Sequence, residues 1–187
     1  MARLFVSVLL GVVLCASHAI GREDALGHLR LKDRLDRPSD GYCLDILGVG
    51  RSLRLDVPIF AHNCKPRLTP DSAVRLRADG RVDFPAVGLC ITAFGVNGRA
   101  LPGSPIILRP CGDGAPFFES SPLQAFALND DGRIVLDGTS LCLAVGAKSD
   151  VTYSDEDRWR VLSVQHCADT PAKYLTWEFN TGPFPAQ

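Results

Sequence analysis

Residues 78–111 read ADGRVDFPAVGLCITAFGVNGRALPGSPIILRPC, and residues 130–167 read DDGRIVLDGTSLCLAVGAKSDVTYSDEDRWRVLSVQHC. The two stretches are copies of one pattern. Each opens on Asp-Gly-Arg-aliphatic, at Asp79-Gly80-Arg81-Val82 and at Asp131-Gly132-Arg133-Ile134, with the glycine ten residues before a cysteine. Each closes on a second cysteine that follows apolar residues in alternation: Ile106 and Leu108 before Cys111, Leu162 and Val164 before Cys167. Such i, i+2 spacing marks a strand with one buried face. The pattern also extends upstream. Cys43 and Cys64 are 21 residues apart, as are Cys90 and Cys111, while Cys142 and Cys167 are 25 apart. Ile59 and Ala61 precede Cys64, and the ten-residue offset before Cys43 falls on Lys32-Asp33-Arg34-Leu35. A further alternating pair follows each second cysteine: Val74 with Leu76, Phe126 with Leu128, Trp177 with Phe179.

Three units of about 47 to 52 residues therefore fill positions 29–180, at about 29–75, 76–127 and 128–180. Each carries about four short strands between Gly, Asp and Pro turns, and no stretch sustains a helical period. Six cysteines allow 15 pairings in principle. A repeat in which each unit closes its own loop selects Cys43–Cys64, Cys90–Cys111 and Cys142–Cys167. Three units suit closure about a three-fold axis, which also removes open sheet edges.

The seventh cysteine has its own explanation. Leu4 to Leu14 read LFVSVLLGVVL, an uncharged run after Arg3 with small residues behind it. This is the form of a secretory signal over residues 1–21, with cleavage expected after Ala19 or Gly21, and the domain occupying 22–187. Cys15 leaves with it; a lipoprotein signal would want a small residue where Leu14 stands. The run is shorter than the roughly 20 residues a membrane span needs, and no other run is longer. Paired cysteines behind a signal predict an oxidising destination, extracellular or periplasmic. The full chain of 187 residues has 20 basic and 21 acidic side chains. That balance argues against nucleic acid as a partner.

The units resemble the ricin-type lectin domain, a β-trefoil. In that family a Cys-Leu-Asp strand, a strand ending in a second cysteine, a Gln-x-Trp turn and an Asp-Gly-x-Ile step follow one another. Here Cys43-Leu44-Asp45, Cys90-Ile91-Thr92 and Cys142-Leu143-Ala144 stand at the first element. The Gln-x-Trp turn reads Ser72-Ala73-Val74, Gln124-Ala125-Phe126 and Leu175-Thr176-Trp177. The resemblance implies an all-β trefoil, one disulfide per repeat, whose turn residues Val74, Phe126 and Trp177 bury together. It also implies a carbohydrate or glycoconjugate ligand. In the family the Asp of the first element accepts hydrogen bonds from ring hydroxyls, an aromatic before the second cysteine carries the sugar's C–H face, and a polar residue near the turn assists. Carried over, unit one has Asp45, His62 and Asp71. Unit two has Thr92, Arg109 and Gln124, hydrogen-bonding groups without the acid. Unit three, with Ala144, Gln165 and Tyr174, has lost it. The expected sugar site is Asp45, His62, Asp71, Thr92 and Gln124, strongest in unit one. The loss of aromatics beside the second cysteines leaves a second reading open: a trefoil that contacts a protein partner, as a toxin-delivery subunit or inhibitor does.

Catalysis has no such support. The pairing leaves no cysteine as nucleophile, and His28, His62 and His166 lie in no Gly-x-Ser-x-Gly or His-Glu-x-x-His setting. Gly48-Val49-Gly50 lies inside a disulfide loop with no helix behind it, so it is not a phosphate loop. The acidic run 149–157 lacks the spaced carboxylates of a calcium loop and reads as a solvated loop or partner contact. No cofactor and no metal are expected.

Overall fold

A computed structural model of the protein describes residues 25–112 and 119–182. The expected signal segment and Cys15 lie outside them. Unit one supplies β1 (Leu26–Leu31), β2 (Tyr42–Asp45), β3 (Phe60–Asn63) and β4 (Val74–Leu76). Unit two supplies β5 (Val82–Phe84), β6 (Leu89–Ala93), the small hairpin β7 (Gly95–Val96) with β8 (Arg99–Ala100), then β9 (Ile106–Pro110) and β10 (Phe126–Leu128). Unit three supplies β11 (Ile134–Leu136), β12 (Leu141–Val145), the short β13 (Asp150–Val151), β14 (Arg158–His166) and β15 (Trp177–Asn180). Four principal strands per unit match the expectation. Helical turns among the described residues are the three 3-10 segments at Gly50–Ser52, Ser121–Leu123 and Ala172–Tyr174.

Pairing closes the chain on itself. Each unit's last strand runs antiparallel to the next unit's first: β4 with β5, β10 with β11, and β15 with β1. Between these hairpins β1 pairs β4, Phe126 N donates to Gly80 O at 2.7 Å, and Arg133 bridges Thr176. The result is a ring of six strands. The remaining strands form three further hairpins, β2–β3, β6–β9 and β12–β14.

The Asp-Gly steps are the turns between units. Asp79 and Asp131 accept the backbone N–H two residues on, from Arg81 at 3.1 Å and Arg133 at 3.0 Å. The glycines sit at φ +78° and +86°, where a side chain would be strained. Gly132 O also accepts Trp177 N at 2.6 Å, so the turn that opens unit three holds the strand that ends it.

The residues alternating before the second cysteines all face inward. Ile59, Ala61, Ile106, Leu108, Leu162 and Val164 are each 5% exposed or less, and they share one core with Val74, Phe126 and Trp177. The indole N–H of Trp177 is satisfied by Leu143 O at 2.9 Å. The disulfides are Cys43–Cys64, Cys90–Cys111 and Cys142–Cys167, one per unit as expected.

One expectation is corrected. The approach to Cys43 does not match that of the other units. Asp83 pairs Cys90 and Val135 pairs Cys142, seven residues apart in each case, whereas Arg30 pairs Cys43 across thirteen. Unit one's first strand therefore lies at Leu26–Leu31, and Lys32-Asp33-Arg34-Leu35 belongs to a longer β1–β2 loop. Leu35 there has φ 53°, a turn conformation rather than a strand. The loop has a use: Asp36 accepts hydrogen bonds from Tyr42 Oη at 2.8 Å, Arg160 Nη2 at 2.5 Å and Ser149 Oγ at 2.5 Å. It thus clasps unit one to unit three.

Candidate functional site

Asp45 ends β2 and is only 2% exposed. Its neighbours come from the disulfide hairpin and the loop behind it. Cys64 is bonded to Cys43, two residues before Asp45, and this fixes the next residue, Lys65, beside the carboxylate. Lys65 Nζ lies 2.8 Å from Asp45 Oδ2 and also contacts Asp71 Oδ2. Asp71, itself 4% exposed, is held by its own backbone, whose carbonyl accepts Ile46 N at 2.9 Å. Neither carboxylate oxygen of Asp45 has a hydrogen-bond partner of good geometry, so Lys65 meets it as an ion pair.

The electrostatics divide the two acids. Burial pushes Asp45 up to about 7, against the pull of the Lys65 charge. Asp71 is also burdened by burial, yet the hydrogen bonds from Lys65 and Thr69 together with the Lys65 charge outweigh that and hold it below the ordinary carboxylate range. Lys65 would be lowered by burial, but Asp45 and Asp71 together raise it, and it stays charged. His62 Nδ1 stands 3.8 Å from Asp45 Oδ2. Burial first and Lys65 second lower His62, so the ring is neutral near pH 7 and this contact is not an ion pair. Its Nε2 meets Thr152 Oγ1 of unit three at 3.3 Å.

Asp45, His62 and Asp71 are thus brought together. Thr92 and Gln124 also meet, in the corresponding place in unit two and apart from the first group. Both are 0% exposed. Gln124 Nε2 donates to Thr92 Oγ1 at 3.0 Å and Pro110 O at 2.9 Å, while its Oε1 accepts Gly112 N at 2.8 Å. The pair is hydrogen-bonded within the protein. In unit three the same place holds Ala144 and Leu175, both fully buried against Cys142. The Asp45 position therefore holds an acid, a hydroxyl and a methyl group in turn, while the turn position of Gln124 and Leu175 is Ser72 in unit one, one residue after Asp71. Arg109 is exposed at the end of β9.

No family model matches the chain, and no curated protein matches it in sequence. Solved structures match in shape. Agglutinin from Abrus precatorius superposes with a TM-score of 0.60 at 19% identity over 86% of this chain, which spans 50% of that one. The C-half of the earthworm R-type lectin, solved in complex with GalNAc, gives 0.55 at 12% identity, over 83% of this chain and 98% of its own. The β-trefoil lectin of Vibrio vulnificus hemolysin/cytolysin, with N-acetyl-D-lactosamine bound, gives 0.50 at 13% identity, over 86% and 96%. The fold is a β-trefoil.

Within this trefoil one site residue escaped the sequence reading. Lys65 directly follows a second cysteine, where the other units have Gly112 and Ala168. A cation at that step in one unit only was the available signal. The lengthening of unit three was visible, but not its target. Its extra residues build β13 and extend β14, whose first half pairs with β3 through Trp159↔His62, Arg160↔Ala61 and Val161↔Phe60. Unit three thereby walls the unit-one site.

Proposed function

We propose that this trefoil is an exported, non-catalytic carbohydrate-binding module whose working site is the unit-one cluster. The observation that carries the reading is Asp45: a buried carboxylate that makes no well-formed hydrogen bond among the described residues and faces the Lys65 ammonium. Burying such a group is costly, and it is retained where a ligand completes its bonding. Two adjacent ring hydroxyls would donate to Asp45 and Asp71, and Lys65 Nζ would donate to a ring oxygen or hydroxyl between them. The rings of His62 and Phe60, packed edge to face with centres 5.9 Å apart, offer the C–H face an apolar support. The three disulfides and the signal-like N-terminus support export to an oxidising compartment.

The test is a glycan array on the mature protein beside Asp45→Asn. The expected result is retention of at least one glycan class by the wild type and its loss in the variant, with an unchanged circular-dichroism spectrum. No retained glycan in the wild type would overturn the reading. One observation favours a second reading, a protein-contact scaffold: Lys65 covers both acids and leaves Asp45 nearly inaccessible. A partner captured from target cells and not displaced by competing sugar would support that alternative.

A further inference from the structure

The sheet face that carries Asp45 carries an apolar surface as well. Register aligns Asp45, Phe60 and Val161 in one row across β2, β3 and β14, and Cys43, His62 and Trp159 in the next. Directly paired residues project to the same side of a sheet, and the alternate residues Leu44 and Ala61 fill the core. Phe60 sits edge-on between His62 and Trp159, with ring centres 5.9 and 6.0 Å away. Past this band opens a pocket of about 420 Å³, lined by Leu47, Val57, Phe60, Thr152, Trp159 and Val161. That is the size of a small-molecule site. Thr152 joins the two regions, since it lines the pocket and its hydroxyl meets His62. Val161 remains 52% exposed at the rim.

We propose that this pocket takes the apolar aglycone of a glycoside whose sugar ring sits on Asp45, Asp71 and Lys65; the inference rests on the sugar-binding reading above. Strands lie about 4.8 Å apart, so Val161 stands roughly 10 Å from Asp45 along its row, a span that one ring and the start of a hydrocarbon chain cover. The occupant is hydrocarbon rather than peptide for a bonding reason. The first half of β14 is already paired with β3 on one side and β13 on the other. A peptide laid there would bury amides with no partner, whereas an alkyl or aryl group has none to satisfy. The ligand class is an amphiphilic glycoconjugate, a sugar linked directly to an alkyl or aryl group.

The test compares methyl and hexyl glycosides of galactose, N-acetylgalactosamine and N-acetylglucosamine by titration calorimetry, with Trp159 fluorescence as a second readout. Trp177 is 1% exposed and sealed in the core, so a blue shift reports on Trp159. For the sugar that binds, the hexyl form is expected to bind about tenfold more tightly than the methyl form and to shift the emission. In Val161→Asp the hexyl-to-methyl ratio is expected to fall to about one. Equal binding of both forms by the wild type overturns the aglycone pocket and leaves the sugar reading standing. Failure of every methyl glycoside, with hexanol binding as well as the hexyl glycosides, overturns the sugar reading and the joined ligand with it. A dimer in sedimentation that Val161→Asp dissociates would assign the face to a second copy and also overturn the proposal.

Discussion

Asp45 and His28 titrate over overlapping ranges with opposite consequences for the fold. Asp45 rises from 3.8 to about 7 through burial, so between those values the folded protein holds a proton that the unfolded chain releases. Stability from this group falls as pH rises through the window. His28, fully buried on β1, is lowered from 6.5 to about 4 by burial and then by the Lys65 charge. Between those values the unfolded chain takes up a proton that the folded protein refuses, so stability falls as pH drops. His62 is also lowered and has the same sign as His28. The wild type should therefore show a shallow pH profile between about 4.5 and 6.5. Asp45→Asn should show stability rising with pH across that range, and His28→Gln should show it falling. Urea melts at three pH values check this; parallel profiles for all three proteins would contradict the opposed titrations. At this scale Asp45 and Asp71 were legible because motif position marks them. Lys65 was not, because its role comes from a disulfide folding the chain back onto β2. The sealing of Thr92 and Gln124 was not either, because satisfaction of a hydrogen bond is a three-dimensional property.

Among the elements, the β1–β2 loop and the β13–β14 hairpin depend on each other. Arg160 alternates inward on β14, is 4% exposed, and stacks 4.8 Å over the Tyr42 ring. Its guanidinium donates to Gly146 O and Ala147 O, each at 2.8 Å, as well as to Asp36. Burial raises Asp36, but the hydrogen bonds from Ser149, Arg160 and Tyr42 outweigh it and hold the acid far below its usual range. Asp36→Ala leaves a buried guanidinium without its counter-charge, and about 2 kcal/mol of destabilisation is expected in denaturant melts. Asp36→Ala with Arg160→Met should cost less than the sum of the two single changes. Strict additivity would show that the clasp is not a unit. Neither partner was readable in advance. The ten-residue offset before Cys43 matched Lys32-Asp33-Arg34-Leu35 to the Asp-Gly steps, and the six-residue extension that carries Asp36 has no counterpart in the other units. The four principal strands per unit were readable, because alternation and Asp-Gly turns are local signals.

For the whole molecule, closure requires each last strand to find the correct first strand, and three equivalent seams offer wrong choices. The facing residues discriminate. Arg75 opposes Asp83 between units one and two, Ala127 opposes Val135 between two and three, and Glu178 opposes Arg30 between three and one. Arg75 and Asp83 are paired at 2.7 Å, and Arg30 Nε donates to Glu178 Oε1 at 2.7 Å. An exchanged seam would set Glu178 against Asp83, Arg75 against Arg30, or a charge against Val135 or Ala127. Each of these leaves like charges or an unpaired one. Glu178→Arg is therefore expected to lower refolding yield, and Arg30→Glu in the same chain to restore it. A double variant no better than the single would sink the seam code. The three-fold plan itself was legible, since a cysteine pair closed by an alternating apolar strand recurs in all three units. The seam code was hidden because the paired residues lie up to 148 positions apart.

The disulfides carry a further consequence, for biogenesis. Each joins a cysteine to the next one along the chain, Cys43 to Cys64, Cys90 to Cys111 and Cys142 to Cys167. A chain emerging N-terminus first into an oxidising space would make every native bond merely by oxidising its cysteines in order of arrival. No reshuffling enzyme would be required. Only the last event, β15 reaching back to β1, has to wait for the whole chain.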